Sequence, residues 1–352
     1  MRATTLSYAA FIAFVIFALF IDLKVLHKHA HEVTTKEAAI TSAGWIGISL
    51  LFAAALFAFG DAIPGVPDDK TNTQVGLEFL TGYLIEKSLS VDNIFVFVLL
   101  FSFFNVPAAS QHRVLFYGVV GAIVFRAIFI FAGVALIERF AVTILLFGLF
   151  LIYSGIKMFR HDGEAVDPVD NKTLKVVRKL IPVSDAYDGT KLFSNQGTVA
   201  GRPITGRRVA TPLFAALVVI EVSDLIFAVD SIPAILAITD DAFIVFTSNI
   251  FAILGLRALY FLLAGVVGKF HLLRVGLALT LSYVGVKMSL TYLHEHVDHA
   301  FPKIPTWASL LTVAALIGGS IWASLRWPGP ELVLPDGSLP ADDDEASSSP
   351  LH

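Results

Sequence analysis

The stretch Leu151-Ile152-Tyr153-Ser154-Gly155-Ile156-Lys157-Met158 returns 130 residues later as Leu281-Ser282-Tyr283-Val284-Gly285-Val286-Lys287-Met288. Two further words precede it, in the same order in both places. Val91-Asp92-Asn93-Ile94 answers Val229-Asp230-Ser231-Ile232 at an offset of 138, and Arg126-Ala127-Ile128-Phe129 answers Arg257-Ala258-Leu259-Tyr260 at an offset of 131. Matched words in matched order mark an internal repeat. Chance recurrence of short apolar words is the weaker explanation, because these words carry Asp, Arg and Lys, which are costly inside a bilayer.

The repeat sits in a chain too apolar to face water: of 352 residues, 56% are hydrophobic and 15% charged, with a mean hydropathy of +0.76. Its 30 Phe and 25 Gly suit helices packed in lipid, where small residues let backbones approach. A spanning helix needs about 20 mostly apolar residues. Nine runs qualify, near residues 6–26, 42–60, 76–104, 113–137, 140–158, 211–237, 242–267, 272–292 and 305–326. The first is expected to persist as a helix rather than act as a signal peptide, since Asp22, Lys24 and a His-rich segment follow it instead of a small-x-small cleavage site.

Each repeat unit then holds three spans, and an odd number of crossings makes the second unit enter from the opposite face. The expected fold is an all-α polytopic transmembrane bundle of about nine spans with an inverted repeat of two three-helix units. Its parts are an N-terminal two-helix segment (1–75), the first unit (76–158), a polar linker (159–210), the second unit (211–292), a C-terminal helix (293–327) and an acidic tail (328–352). The linker is expected to carry one basic helix around Lys172 to Leu180, and the tail, with Asp342 to Glu345 and little to bury, to be disordered.

Setting aside Lys87, Arg126, Lys157, Arg257 and Lys287 within the spans, sixteen of the remaining basic residues, in loops or at span ends, fall on one side and four on the other. Basic loops stay cytoplasmic, which puts the N-terminus outside and the C-terminus inside, as in a bacterial inner membrane. The partners are the lipid bilayer and a transported ion, not nucleic acid. With no Cys, thiolate metal sites and thiol nucleophiles drop out. No nucleophile or cofactor fingerprint argues for an enzyme, and no permanently bound cofactor is expected.

Charge inside the spans is the functional signal. The acids Glu86, Asp92, Glu221, Asp224 and Asp230 face the bases Lys87, Arg126 and Arg257, an excess of two negative charges. Such an excess must be protonated, paired or bound to a cation. Glu86 and Asn93 lie seven apart on one helix face, as do Asp224 and Ser231, while Glu221 is one turn from Asp224 and Asp92 and Asp230 lie off that face. Pro233 cannot donate to the carbonyl of Val229, so a kink is expected beside Asp230. Carboxylates with Asn93, Ser231 and freed carbonyls make a hard oxygen site for Mn2+, Mg2+ or Ca2+. The rival reading has these acids pairing with Lys87, Arg126 and Arg257 to lock helices, and both roles can coexist. The His27, His29, His31 group and the His294 to His299 group read as solvated interfacial loops, and Asp22, Asp61 and Glu138 as ordinary interfacial residues.

The words Glu86 to Val96, Ala210 to Leu213, Glu221 to Ala234 and Thr247 to Ala258 resemble the TerC family of membrane proteins, with similarity from about Trp45 to Trp327. That family is named for tellurite resistance and grouped with metal and amino-acid exporters. The resemblance implies manganese export, with the acids of the two blocks needed for activity. The expected function is therefore proton-coupled export of a divalent ion, Mn2+ foremost. Two alternatives stand beside it: a non-transporting scaffold that assists metalation or assembly of other membrane or secreted proteins, and an amino-acid exporter.

Overall fold

The structure is a computed structural model that describes residues 2–22, 34–63, 66, 70–160, 182–196, 198–199, 201–203, 208–264 and 270–327. Each of the nine apolar segments holds a helix. These are α1 (Arg2–Ile21), α2 (Thr35–Phe59), α3 (Asn72–Phe103), α4 (Ala108–Arg139), α5 (Val142–Arg160), α6 (Pro212–Leu236), the pair α7 (Ala242–Leu254) and α8 (Leu256–Leu263), α9 (Leu273–His296) and α10 (Thr306–Arg326). Seven helices, taking α7 and α8 together, are long and apolar enough to cross a membrane. The two others differ in degree: the apolar part of α1, Thr5–Ile21, is shorter, and α3 carries Glu78, Glu86, Lys87 and Asp92.

Hydropathy located the helices but not their starts. α2 begins at Thr35, earlier than residue 42, and α3 at Asn72, because Thr34 with Glu37 and Thr71 with Gln74 form reciprocal capping boxes that satisfy the first free N–H groups. The expected span over 242–267 is two helices, broken at Gly255. A side-chain carbon there would lie 2.9 Å from the Lys87 amine and 3.1 Å from Trp45 Cβ. Lys87 Nζ donates to the Ala252 carbonyl at 3.3 Å, one of the acceptors that a helix end leaves without an intrahelical partner. Pro233 does not break α6 in its middle. The helix runs through it and stops at Leu236.

Apart from its Thr247-Ser248-Asn249 step α7 is apolar, and every residue from Phe243 to Leu254 is buried, as a helix apolar on most sides requires. It packs against α3 and α4, with α1 and α2 completing its surround. Aromatic rings fill the gaps: Phe52 lies 4.8 Å from Phe251 and 5.1 Å from Phe79, centroid to centroid.

Several contacts between the repeated units recur when α3, α4 and α5 are exchanged for α6, α7–α8 and α9. α3 packs on α7 as α6 packs on α4, and α5 touches α6 as α9 touches α3. α5 and α9 pack on each other along their length. There, a side-chain carbon on Gly155 would lie 2.6 Å from the Ala278 carbonyl, and one on Gly285 would lie 2.5 Å from the Gly148 carbonyl. The 130-residue offset carries Gly155 to Gly285 and Gly148 to Ala278, so one contact is the image of the other. The higher-numbered residue of α5 meets the lower-numbered residue of α9, hence the two helices run antiparallel. A local two-fold axis relating them lies across the helices, the geometry an inverted repeat needs.

The segment 182–210 was expected as a plain linker, but its described residues form a small folded cap. Short strands β1 (Phe193–Ser194) and β4 (Val209–Ala210) pair antiparallel, as do β2 (Thr198–Val199) and β3 (Arg202–Pro203). Asp185 pins the second hairpin by accepting from Thr198 Oγ1 at 2.8 Å and Gly201 N at 2.9 Å, with Gly201 at φ +75°. The cap is moored by Tyr187, whose hydroxyl donates to the Phe104 carbonyl at 2.5 Å, and by Thr190, which accepts from Arg113 at 3.0 Å. The expected basic helix around Lys172 to Leu180, the His27, His29, His31 group and the tail 328–352 lie outside the described residues.

If the α5–α9 approach sets the packing, Gly155→Leu should push the helices apart and lower stability by about 1–3 kcal/mol, the usual cost of overpacking. Gly318→Ala, on α10 with nothing within 4 Å, should not. Thermal unfolding of the two purified variants in detergent separates them. Equal melting temperatures would show that this contact is dispensable.

Candidate functional site

Three charged side chains meet in the middle of the bundle, one from each of α3, α4 and α6. Arg126, 1% exposed, sits between Glu86, 0% exposed, and Asp224, 6% exposed. Its Nη2 and Nε reach the two oxygens of Asp224 at 3.0 and 3.2 Å, a two-pronged pair, and its Nη1 donates to Glu86 Oε1. The same Nη1 lies 3.3 Å from Ser231 Oγ. Amides fill the remaining acceptor positions: Asn249 Nδ2 donates to Glu86 Oε2 at 3.1 Å, and Asn93 Nδ2 to Asp224 Oδ1 at 3.4 Å. Buried charges persist only when paired and hydrogen-bonded in this way.

Local sequence explains the convergence. Glu86 and Asn93 project from one face of α3, and Asp224 and Ser231 from one face of α6, by the seven-residue spacing. Glu86 and Asp224 are also separated by 138 residues, the offset of the surrounding repeat word. Equivalent positions of the two units thus supply the two carboxylates. Asn249 reaches Glu86 because α3 and α7 come close at Gly82, where a side-chain carbon would lie 2.8 Å from Ser248 Oγ.

Glu221 stands one turn closer to the start of α6 than Asp224, half-buried against α4. A side-chain carbon on Gly121 would overlap its carboxylate, so Gly121 makes the room it occupies. Its Oε2 is buried and makes no hydrogen bond among the described residues. Asp230 lies elsewhere, half-buried toward α5, and accepts from Ser154 Oγ at 2.9 Å with Lys157 one turn further on. Asp92 belongs to α3, but its side chain lies outside the described residues. Of the seven expected metal ligands, then, Glu86, Asn93, Asp224 and Ser231 gather round Arg126, with Glu221 beside them and Asp230 apart. Among the described residues no group of three or more His, Asp or Glu side chains is placed to share one metal ion.

The three expected ion-pair bases have different fates. Arg126 pairs as expected. Arg257 pairs instead with Asp22 at the end of α1, bonding its carboxylate and, at 3.3 Å, its carbonyl. Asp22 is 6% exposed, so the interfacial reading of that residue is corrected: the apolar run placed it at a helix end, and a cation from α8 draws it inside. Lys87 serves a helix end through Ala252. Asn249 and Gly121 were not singled out from sequence; a polar Thr247-Ser248-Asn249 step inside an otherwise apolar run is the signal that marks the first. In the His294 to His299 group, His294 Nδ1 meets the Phe301 carbonyl at 2.7 Å and His296 stacks on Tyr292 at 4.6 Å, so both serve the local turn.

Removing the central cation should expose how much the bundle relies on it. Arg126→Met keeps bulk but leaves two buried carboxylates without their partner, an expected loss of about 3–5 kcal/mol. Adding Glu86→Gln and Asp224→Asn should recover a large part of it. Unfolding in detergent across this cycle measures the coupling, and an Arg126→Met protein as stable as the parent would show the triad to be inert.

The sequence profile described as "Integral membrane protein TerC family" matches residues 71–327, which takes in every helix that bears the triad. An "uncharacterized membrane protein STKORF319" of Myxococcus xanthus is 48% identical over 318 residues, covering 90% of this chain and 91% of that protein. A protein of Escherichia coli K12 named "putative membrane-bound redox modulator Alx" is 47% identical over 289 residues, covering 81% and 86%. Its namesake in Photorhabdus laumondii is 42% identical over 315 residues, covering 89% and 92%. No solved structure matches the chain. A profile match across most of the chain, and relatives this similar over nearly their full lengths, establish that it belongs to the TerC family of integral membrane proteins.

Proposed function

We propose that this chain is a secondary transporter that exports a divalent metal ion, Mn2+ foremost, in exchange for protons, with Glu86 and Asp224 as the carboxylates that change partner. One observation carries the reading: two buried carboxylates from equivalent positions of the two repeat units meet at a single guanidinium. In transporters built from inverted repeats, the substrate sits at the interface of the units near the midplane. Here Arg126 occupies that place. A divalent ion that displaces it finds carboxylate, amide and hydroxyl oxygens from Glu86, Asp224, Asn93, Asn249 and Ser231, the hard donors that Mn2+ accepts.

The repeat also offers the displaced charge a model for its destination. Arg257, the counterpart of Arg126, is held outside the centre by Asp22. Exchange of the two units' roles would let Arg257 and Arg126 take turns at the Glu86–Asp224 pair. Glu221, with one carboxylate oxygen unbonded beside Asp224, is the proton acceptor. Asp92 and Asp230 hold matching positions in the two repeat words and are the further carboxylates this reading assigns to the path. The basic-residue count places the N-terminus outside and the C-terminus in the cytoplasm of a bacterial inner membrane, and the relatives compared above come from bacteria. Expelling two positive charges against an inside-negative potential costs about 4.6 kcal/mol per 100 mV, at about 2.3 per charge. Proton entry offsets this: two protons for one divalent ion move no net charge.

The triad also favours one other substrate class. A guanidinium and carboxylates side by side complement the two ends of an amino acid, which keeps amino-acid export as the second reading. The redox role in the name of the Escherichia coli relative would here have to work without thiols, since these 352 residues contain no Cys.

In proteoliposomes, Mn2+ flux through the parent should exceed that through Glu86→Gln or Asp224→Asn, both expected at the level of empty liposomes, with Lys157→Gln affected less. Collapsing the pH gradient with nigericin should slow the flux, and clamping voltage with valinomycin should leave it nearly unchanged. Both carboxylate variants transporting Mn2+ at the parent rate would overturn the assignment. Labelled amino acids carried by the parent, with no Mn2+ flux, would establish the second reading instead.

A further inference from the structure

The described residues of the cap over 182–210 line, together with Arg113 of α4, a half-open cavity of about 490 Å³ that has no part in the central triad. Among the described residues its wall includes Arg113, Lys191 and Arg208, with Asp188 as the one acid. That acid is already engaged. Its carboxylate accepts from Ser194 Oγ at 2.7 Å and from Lys191 at 3.1 and 3.3 Å, which together hold it below the usual carboxylate range. With three bases against one acid, the described wall carries a net charge of two positive, and Asp188 faces Lys191 rather than either arginine. Among the described residues neither arginine forms an ion pair with a carboxylate. Arg113 spends one of its five N–H donors on Thr190 and lies 5.9 Å over the ring of Tyr117.

Two arginines facing one space are suited to a phosphate, whose oxygens match the planar guanidinium fork. The volume lies within the range of ordinary small-ligand sites. The surroundings narrow the source. Phe193 is 46% exposed and packs on Phe214 in the first turn of α6 at 4.7 Å, and Tyr117 is 38% exposed on α4. Exposed aromatics at the start of two spanning helices mark the level where headgroups meet acyl chains. The cavity thus offers charge where a headgroup would sit and apolar surface where chains would begin. The sixteen-to-four basic count puts this end in the cytoplasm, the side on which anionic lipids attract basic clusters.

We propose that this cavity binds the phosphate of a net-anionic phospholipid headgroup through Arg113 and Arg208. Its occupant bridges α4 to the segment leading into α6, the two helices that bring Arg126 and Asp224 together. The site is independent of what the transporter carries.

The test uses full-length protein in detergent, titrated with phosphatidylglycerol, phosphatidylcholine or inorganic phosphate and followed by native mass spectrometry and thermal unfolding. Phosphatidylglycerol should stay bound and raise the unfolding temperature, and phosphatidylcholine should do neither. Arg208→Gln, at an exposed position just before β4, should weaken phosphatidylglycerol about tenfold, equivalent to about 1.4 kcal/mol, and Arg113→Gln with Arg208→Gln should weaken it further. Lys303→Gln, near the opposite end of α9, should bind as the parent does. Equal phosphatidylglycerol binding by the parent, Arg208→Gln and the double variant would overturn the site. Stabilisation by millimolar inorganic phosphate with none from phosphatidylglycerol would overturn the lipid source and leave a soluble phosphate as the ligand.

Discussion

The Arg126 guanidinium is the constraint to which the rest of the bundle is fitted. It cannot lose its proton, and the idealised cost of taking an ion of this kind from water into a medium like a dry interior is on the order of 20 kcal/mol. Placed there with two carboxylates, it is tolerable only if every oxygen has a donor. Meeting that condition fixes four helices at once. Glu86 on α3 needs Arg126 from α4 and Asn249 from α7, and Asp224 on α6 needs Arg126 and Asn93 from α3. The close approaches at Gly82 and Gly121 follow from the same demand, since a side chain at either would hold apart the helices whose polar groups must touch.

Repetition supplies the parts, and departures from repetition make them different. The two units contribute equivalent acids to one centre, while their equivalent arginines go to different partners, Arg126 to the centre and Arg257 to Asp22 on α1. α1 lies before the first repeat unit, and through Asp22 it holds the second unit's arginine away from the centre, which makes the two units different. Between α5 and α9 the symmetry is closely kept, with Gly148, Gly155, Ala278 and Gly285 letting backbone meet backbone. In lipid, where apolar side chains gain little by meeting one another, such approaches are a principal source of helix attraction.

Much of this was legible in the sequence, for identifiable reasons. Apolar runs located all nine helical segments, because a bilayer demands length and hydropathy and little else. They did not show the starts of α2 and α3, which depend on Thr34 and Thr71 as caps, nor the break at Gly255, which depends on a lysine 168 residues earlier in the chain. The charged positions were legible because charge inside a span is costly and therefore stands out. Their partners were not. Arg126 is 40 residues from Glu86 and 98 from Asp224, and no spacing rule reaches across helices. Repeat offsets equated Glu86 with Asp224 but gave no means of choosing between Arg126 and Arg257. The cap is illegible for a different reason: its strands are only two residues long, too short to show an alternating pattern, and its apolar residues are scattered among polar ones as in a linker.

Charge balance finally bears on how such a centre can move. Glu86 and Asp224 with Arg126 carry a net charge of −1, and an ionised Glu221 would make it −2. A divalent ion replacing Arg126 would bring the same three acids to −1, so the exchange of a guanidinium for an ion and the gain or loss of a proton at Glu221 are comparable steps electrostatically. The centre is therefore poised between states of similar charge, provided that the departing guanidinium finds another acid. Arg257 at Asp22 demonstrates that this protein can hold an equivalent arginine away from the centre at low exposure. If transport displaces the guanidinium as proposed, the cost of an unpaired arginine in the bundle would tie that step to a change of helix positions that gives it another acid.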